Sequence, residues 1–124
     1  MNLLIIALDN EVPAELPEGD VLVVAPALNS RLRRWFSDED GARRRANDRA
    51  SALVDRLERR GIHAEGRVGD GDPLLAIADV LPTFPADEIV IAGGSADSTR
   101  LASRARDRFA LPTFGPNEPL SLAA

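Results

Sequence analysis

The chain alternates between short apolar runs and longer segments in which apolar residues recur every three or four positions. Three runs are continuously apolar, at residues 3–8, 21–25 and 89–91. Runs of this length predict strands that are covered on both faces of a sheet. Residues 62–68 instead alternate apolar or small side chains with His63, Glu65 and Arg67. That alternation predicts an edge strand with one side exposed.

Two segments with helical spacing flank this edge strand. From Ser37 to Arg60 a single face collects Ala46, Ala50, Leu53, Val54 and Leu57. Ser37 suits the N-cap of this helix, and Gly61 suits the left-handed residue after its end. A second helix is predicted from Pro73 to Phe84, capped by Asp72, with an apolar stripe at Leu74, Ile77, Ala78 and Leu81.

A third helix is predicted near residues 99–109, with Asp97 as its cap, and other connections are weaker. Residues 11–20 contain two prolines and a glycine, which leave space for about one helical turn around residues 14–16. Residues 111–114 are the place for a fifth strand, but two prolines, Gly115 and Asn117 make it short or frayed. The tail from about residue 115 is predicted to be partly disordered.

The segment from Arg67 to Gly94 contains a strand, a tight turn, a helix and a second strand. A strand, a covering helix and another buried strand form a βαβ unit, so the two strands are predicted to be parallel. The chain therefore belongs to the α/β class. At 124 residues it is long enough for one three-layer domain and too short for two.

Composition excludes several kinds of chemistry. The chain has no cysteine and no lysine, and His63 is its one histidine. Disulfides, thiolate metal sites, multi-histidine metal clusters, Schiff-base chemistry and a phosphate-loop lysine are therefore excluded. We expect His63 to lie in a solvated loop, although a serine–histidine triad would have to use it.

Charge and hydropathy bear on partners and location. The formal net charge is −5 and the pI about 4.8, which argues against nucleic acid as a partner. No apolar run approaches the roughly 18 residues of a membrane span, and the chain opens on a strand pattern without the segments of a signal peptide. We expect a cytoplasmic protein with no membrane partner.

Three clusters have both a structural and a functional interpretation. Arginines at positions 43–45, 49 and 56 are interleaved with acidic residues, which favours a solvated, salt-bridged face over a binding patch. Asp70 and Asp72 are better explained as turn and cap residues than as a Mg²⁺ pair. Trp35 and Phe36 favour anchoring of a linker over ligand stacking.

Three motifs occur in an order that resembles the universal stress protein family. They are Ile-Ala-Leu-Asp at residues 6–9, Val-Gly-Asp-Gly-Asp-Pro at residues 68–73 with Ile77, and Asp-Glu-Ile-Val-Ile-Ala-Gly at residues 87–93. The resemblance covers most of the chain between residues 3 and 114. It implies a three-layer, doubly wound, flavodoxin-like (HUP-type) parallel sheet with strand order 3-2-1-4-5, here with a reduced first helix.

This strand order would place the ends of strands one and four side by side, where open α/β sheets bind ligands. The ligand-binding positions that the resemblance implies are Asp9, Asn10, Val24, Gly93, Gly94, Ser95, Ser98 and Thr99. In nucleotide-binding members a Gly-x2-Gly-x9-Gly-Ser/Thr run cradles phosphate. Here Ala96 replaces the second glycine, the spacer is largely deleted, and Asp97-Ser98 replaces the last Gly-Ser, which weighs against ATP or AMP binding of the family kind.

Two hypotheses of function follow. In the first, the chain is a non-enzymatic, stress-response regulatory protein that binds an adenine nucleotide (ATP or AMP) or a small anion in the crevice. In the second, it is a degenerate member that has lost this ligand and acts as an oligomerisation or protein-interaction module. An enzyme is disfavoured, because Asp9 alone does not make a catalytic constellation, although weak ATPase activity stays open.

The reduced first helix also leads to an expectation about assembly. Without that helix, the apolar side chains of residues 3–8 and 21–24 would be underprotected on one sheet face. Exposed apolar patches of this kind mark interfaces. We expect a second copy of the chain, the C-terminal segment of residues 116–122, or both, to cover this face, and hence a homodimer or higher oligomer.

Overall fold

Five strands and three helices make up the part of the chain that the computed structural model describes, residues 1–11, 16, 18–28, 39–94 and 96–115. Their order is β1 (Asn2–Ala7), β2 (Asp20–Pro26), α1 (Glu39–Arg59), β3 (Ala64–Gly69), α2 (Pro73–Val80), β4 (Glu88–Ala92), α3 (Ala96–Phe109) and β5 (Thr113–Phe114). Several predictions lie outside these residues: the helical turn around residues 14–16, the anchoring by Trp35 and Phe36, the Ser37 cap and the tail of residues 116–124.

The strands form one parallel sheet in the order β3-β2-β1-β4-β5. The predicted α/β class, parallel pairing and strand order are thereby confirmed. β3 lies at one end of the sheet, as its alternating sequence predicts, and β5 at the other end has two residues. β1 and β4 are central neighbours, with Ala7 opposite Ala92.

Helices cover both faces of the sheet, which gives the predicted three layers. On one face α2 and α3 pack against alternate strand residues such as Leu4, Ile6 and Ile89. On the other face α1 packs against a second set that includes Leu3, Ile5 and Val23. All the side chains of residues 3–7 and 21–24 are at most 3% exposed. These side chains are therefore covered. The expected cover by residues 116–122 lies outside the described residues, and the homodimer stays a prediction.

Local sequence signals fix the ends of the helices around β3. Gly61 follows α1 with φ +80° and donates its N–H to the Glu58 carbonyl, as the predicted left-handed terminus requires. Asp72 caps α2 by accepting the Leu74 N–H at 3.0 Å, with Pro73 in the first turn. Asp70 accepts the Asp72 N–H at 2.8 Å, so the turn-and-cap interpretation of both aspartates is confirmed.

The second helix differs from its prediction at the C-terminal end. It ends at Val80 rather than Phe84, because Pro82 has no N–H to continue the helical bonds. The Val80 carbonyl accepts the N–H groups of Thr83 and Phe84 in the turn that follows. Ala76 and Val80 are buried and Ala78 is only partly buried, so the buried stripe is rotated slightly from the predicted one.

No helix in the described ranges combines the length and apolarity that crossing a membrane requires.

Candidate functional site

The candidate site lies where the carboxyl ends of β1 and β4 meet. The Leu8 N–H donates to the Ala92 carbonyl at 2.9 Å, so the two strands stay paired to their last residues. Asp9 follows directly on one strand, and Gly93 and Gly94 follow on the other. This is the point at which the strand order reverses, where open parallel sheets form a ligand crevice.

The Asp9 carboxylate bridges the two strand ends. Its Oδ1 accepts the Glu11 N–H at 2.8 Å, and its Oδ2 accepts the Gly94 N–H at 3.2 Å. The predicted proximity of Asp9 to the paired glycines is therefore confirmed. Because both carboxylate oxygens already accept a backbone N–H, two amides of the crevice are bonded within the chain.

Gly93 is required by close packing beneath the crevice. It is buried, and a Cβ atom added to it would lie 2.7 Å from Ser98 Oγ and 3.1 Å from Leu8 Cβ. Ser98 itself is fully buried. Any side chain at residue 93 would therefore require the buried Ser98 side chain to rotate away or the first turn of α3 or the end of β1 to move.

Gly94 lies in a more open position beside an acidic side chain. It is exposed, and the nearest atoms to an added Cβ are the carboxylate oxygens of Glu11, at 3.4 and 3.5 Å. Glu11 and Asp9 thus place two carboxylates next to the same backbone segment. That arrangement disfavours an anion, because negative side chains compete with it for the amides.

The start of α3 corrects one prediction. The helix begins at Ala96 rather than near Thr99, so Asp97 lies in its first turn instead of serving as its cap. The Asp97 carboxylate forms an exposed ion pair with Arg100, one turn further along the helix. An acidic residue in the first turn stabilises the positive end of the helix dipole, which places a third carboxylate near the crevice.

Arg49 is the residue of this region that sequence reasoning missed. Its guanidinium reaches from α1 to the strand ends, donating from Nε to the Ala7 carbonyl at 3.3 Å and from Nη2 to the Pro26 carbonyl at 2.5 Å. Its role is to tie the ends of β1 and β2 to α1, so the predicted solvated, salt-bridged face is wrong at this position.

A sequence signal for Arg49 exists. Ala42, Ala46 and Leu53 lie seven and three positions before it and four after it, and all three are buried, so Arg49 falls within the apolar stripe of α1. Burial lowers the pKa of its guanidinium, Arg45 lowers it further, and the nearby Asp9 carboxylate opposes both effects.

The other predicted site residues are less close to the crevice. Val24 is fully buried in the core that α2 and α3 cover. Asn10 is exposed, and its carbonyl accepts a hydrogen bond from Arg56 of α1. Thr99 is exposed on the first turn of α3. Ser95 lies outside the described residues, and His63 is exposed, as predicted for a loop position.

Within the described part of the chain, no group of three or more His, Asp or Glu side chains is arranged to hold a metal ion. Comparison with protein-family models finds no match to the chain, and comparison with curated proteins finds none either. The resemblance to the universal stress proteins therefore stays a prediction made from motif order.

Proposed function

We propose that the protein is a non-enzymatic interaction module, similar in fold to the universal stress proteins, whose ligand crevice is closed by its own carboxylate. In this proposal the second hypothesis from the sequence is preferred to nucleotide binding. The protein would act through its surface rather than through a bound nucleotide.

The observation that carries the proposal is the double acceptance by Asp9. A phosphate held at this position would need backbone N–H groups that point at it. The Gly94 and Glu11 amides are instead bonded to Asp9 at 3.2 and 2.8 Å. Replacing those bonds would leave the Asp9 carboxylate without its partners, next to a second anion.

A second candidate function keeps the nucleotide. It is supported by the position of Gly94, which is exposed beside the first turn of α3, because a helix N-terminus at a strand switch point suits anions. Here an adenine nucleotide such as ATP or AMP, or a small anion, would bind at Gly94 and Thr99 after displacing the Glu11 side chain.

Thermal unfolding in the presence of ATP, AMP and inorganic phosphate distinguishes the two. A ligand that binds only the folded chain raises the melting temperature in proportion to its occupancy. The proposal predicts no shift at millimolar nucleotide beyond that produced by matched ionic strength.

A rise in melting temperature that depends on the nucleotide would overturn the proposal. It would favour the second candidate if a substitution at the crevice changes that rise. The variants that decide this are Asp9→Ala, at the strand ends, and Asp107→Ala, an exposed residue near the far end of α3. A shift that changes in the first variant and is retained unchanged in the second would locate nucleotide binding at the crevice.

A further inference from the structure

The outer edge of β3 carries backbone groups that point away from the sheet. The Ala27 N–H donates to the Gly69 carbonyl across β2 and β3 at 3.1 Å. Because backbone groups alternate sides along a strand, residues 65, 67 and 69 turn theirs toward β2. Ala64, Gly66 and Val68 therefore turn their N–H and C=O groups toward the outer edge, where no described strand lies. Gly66 is exposed there and Val68 partly exposed, whereas Ala64 is only 5% exposed.

Two exposed charges of opposite sign flank the middle of this edge. Glu65 and Arg67 are exposed and lie opposite Leu22 and Val24 of β2, on the face that α2 and α3 cover elsewhere. Gly66 lies between them. A Cβ atom added to Gly66 would point to the opposite face of the sheet, 3.2 Å from Cγ2 of Val54 in α1.

From this arrangement we propose that the β3 edge pairs with the same edge of a second copy, antiparallel, about a two-fold axis at Gly66. In this register Gly66 faces Gly66 of the second copy, and Ala64 faces Val68. The exposed Gly66 would donate and accept one hydrogen bond across the axis, and Ala64 and Val68 would do the same once pairing uncovers the buried Ala64. The two five-stranded sheets would become one continuous sheet.

The charges on β3 favour this register over the two adjacent ones. Glu65 would lie opposite Arg67 of the second copy at both positions flanking the axis, in non-hydrogen-bonded pairs, where side chains approach most closely. Moving the axis to Glu65 or to Arg67 would place like charges directly opposite each other. Charged residues on an edge strand commonly prevent pairing, but this order of signs favours the register centred on Gly66 over the two centred on Glu65 and Arg67.

This inference rests on the proposed function, because it names the partner of the interaction module as a second copy of the chain. A contact of one strand edge buries little area, so the dimer would be weak and dependent on concentration. Light scattering of the full chain, in the absence of nucleotide, measures the molar mass and hence the fraction of dimer. Failure here leaves the nucleotide test unaffected, and a nucleotide-induced thermal shift leaves the mass unaffected.

The decisive experiment uses charge reversal. Glu65→Arg gives an edge with two arginines and Arg67→Glu an edge with two glutamates, so each variant alone should be monomeric where the wild-type chain is dimeric. Mixed in equal amounts, the two should form a heterodimer. The double variant E65R/R67E restores both pairs with exchanged signs and should dimerise like the wild type.

Three results would overturn the proposal. The first is a wild-type chain that stays monomeric at about 1 mM. The second is a dimer whose mass neither single variant changes, which would place the interface elsewhere. The third is loss of the dimer in both single variants without recovery in the mixture and in the double variant. Far-ultraviolet circular dichroism of each variant shows that it is folded before its mass is interpreted.

Discussion

The crevice between β1 and β4 and the outer edge of β3 differ in what happens to their backbone hydrogen-bonding groups. At the crevice, Asp9 accepts the N–H groups of Glu11 and Gly94. At the β3 edge, Ala64, Gly66 and Val68 turn their backbone groups outward, and no described strand pairs with them. Buried or ligand-facing amides need partners. Of these two places, the described residues supply partners at the crevice and not along the outer edge of β3. The place where the fold ordinarily binds small molecules is internally satisfied, while the unused donors lie at the end of the sheet.

The largest expected effect comes from the packing beneath the crevice. Gly93→Ala would place a Cβ 2.7 Å from the buried Ser98 Oγ. We expect this overpacking to lower the free energy of unfolding in urea by about 2 kcal/mol. The loss reflects the cost of moving the buried Ser98 side chain or the start of α3 away from the added methyl group.

The neighbouring glycine is the matched control for that variant. At Gly94 an added Cβ would approach only the flexible end of the exposed Glu11 side chain, at 3.4 Å. Gly94→Ala should therefore change the free energy of unfolding by less than about 0.5 kcal/mol. Equal effects of the two substitutions would show that the crevice floor is loosely packed.

A similar loss is expected at the arginine that holds the strand ends. Arg49→Met keeps an apolar side chain of similar length but removes the bonds to the Ala7 and Pro26 carbonyls. We expect the free energy of unfolding to fall by about 2 kcal/mol, since charged donors bonded to buried acceptors contribute most. The exposed Arg43 of the same helix provides the control, and an Arg43→Met variant that loses as much stability would contradict the assigned role.

Sequence reasoning predicted the strand pattern well because buried parallel strands are continuously apolar, as residues 3–7 are. It also predicted the Asp72 cap and the terminal Gly61, since both depend on neighbouring residues alone. It placed Asp9 beside Gly94 only through the strand order that the resemblance implied. It missed the bonds from Gly94 to Asp9 and from Arg49 to Ala7 and Pro26, because each involves a backbone group distant in sequence, whose identity as a partner is not encoded by residue type.

A smaller effect is expected from a buried carboxylate at the opposite end of β4. Glu88 is 5% exposed, and its Oε2 has no hydrogen-bond partner. We expect Glu88→Gln to raise the free energy of unfolding by about 1 kcal/mol at neutral pH, because an unpaired buried acceptor is costly and more so when charged. The exposed Glu58 serves as control, since its change to Gln should have no such effect.

The pH dependence of that gain checks its cause. Burial raises the pKa of Glu88 above its ordinary value of 4.5, and the Asp87 carboxylate raises it further. The folded chain therefore binds more protons than the unfolded chain between 4.5 and the raised pKa, so wild-type stability falls as pH rises through that window. The advantage of the Gln variant should vanish below pH 4.5. An advantage that stays constant across this window would exclude ionisation as its source.

The smallest effect concerns the β3 edge and involves no loss of stability. In dilute protein, the amides of Gly66 and Val68 should exchange with solvent roughly tenfold or more faster than those of Glu65 and Arg67, whose N–H groups face β2. At high concentration these two outward amides should become protected as copies pair. Equal exchange along the strand would contradict the alternation, and exchange independent of concentration would contradict the pairing.

The central claim is that Asp9 occupies the donors of the crevice, and the Gly94 amide reports on it directly. Its proton–nitrogen correlation can be followed while AMP and then ATP are added at constant ionic strength. The account predicts that the Gly94 and Glu11 signals stay in place up to millimolar nucleotide. A saturable shift of the Gly94 signal in the wild-type chain, retained in the Asp107→Ala control, would show that the amide is available to a ligand. That result would contradict the claim.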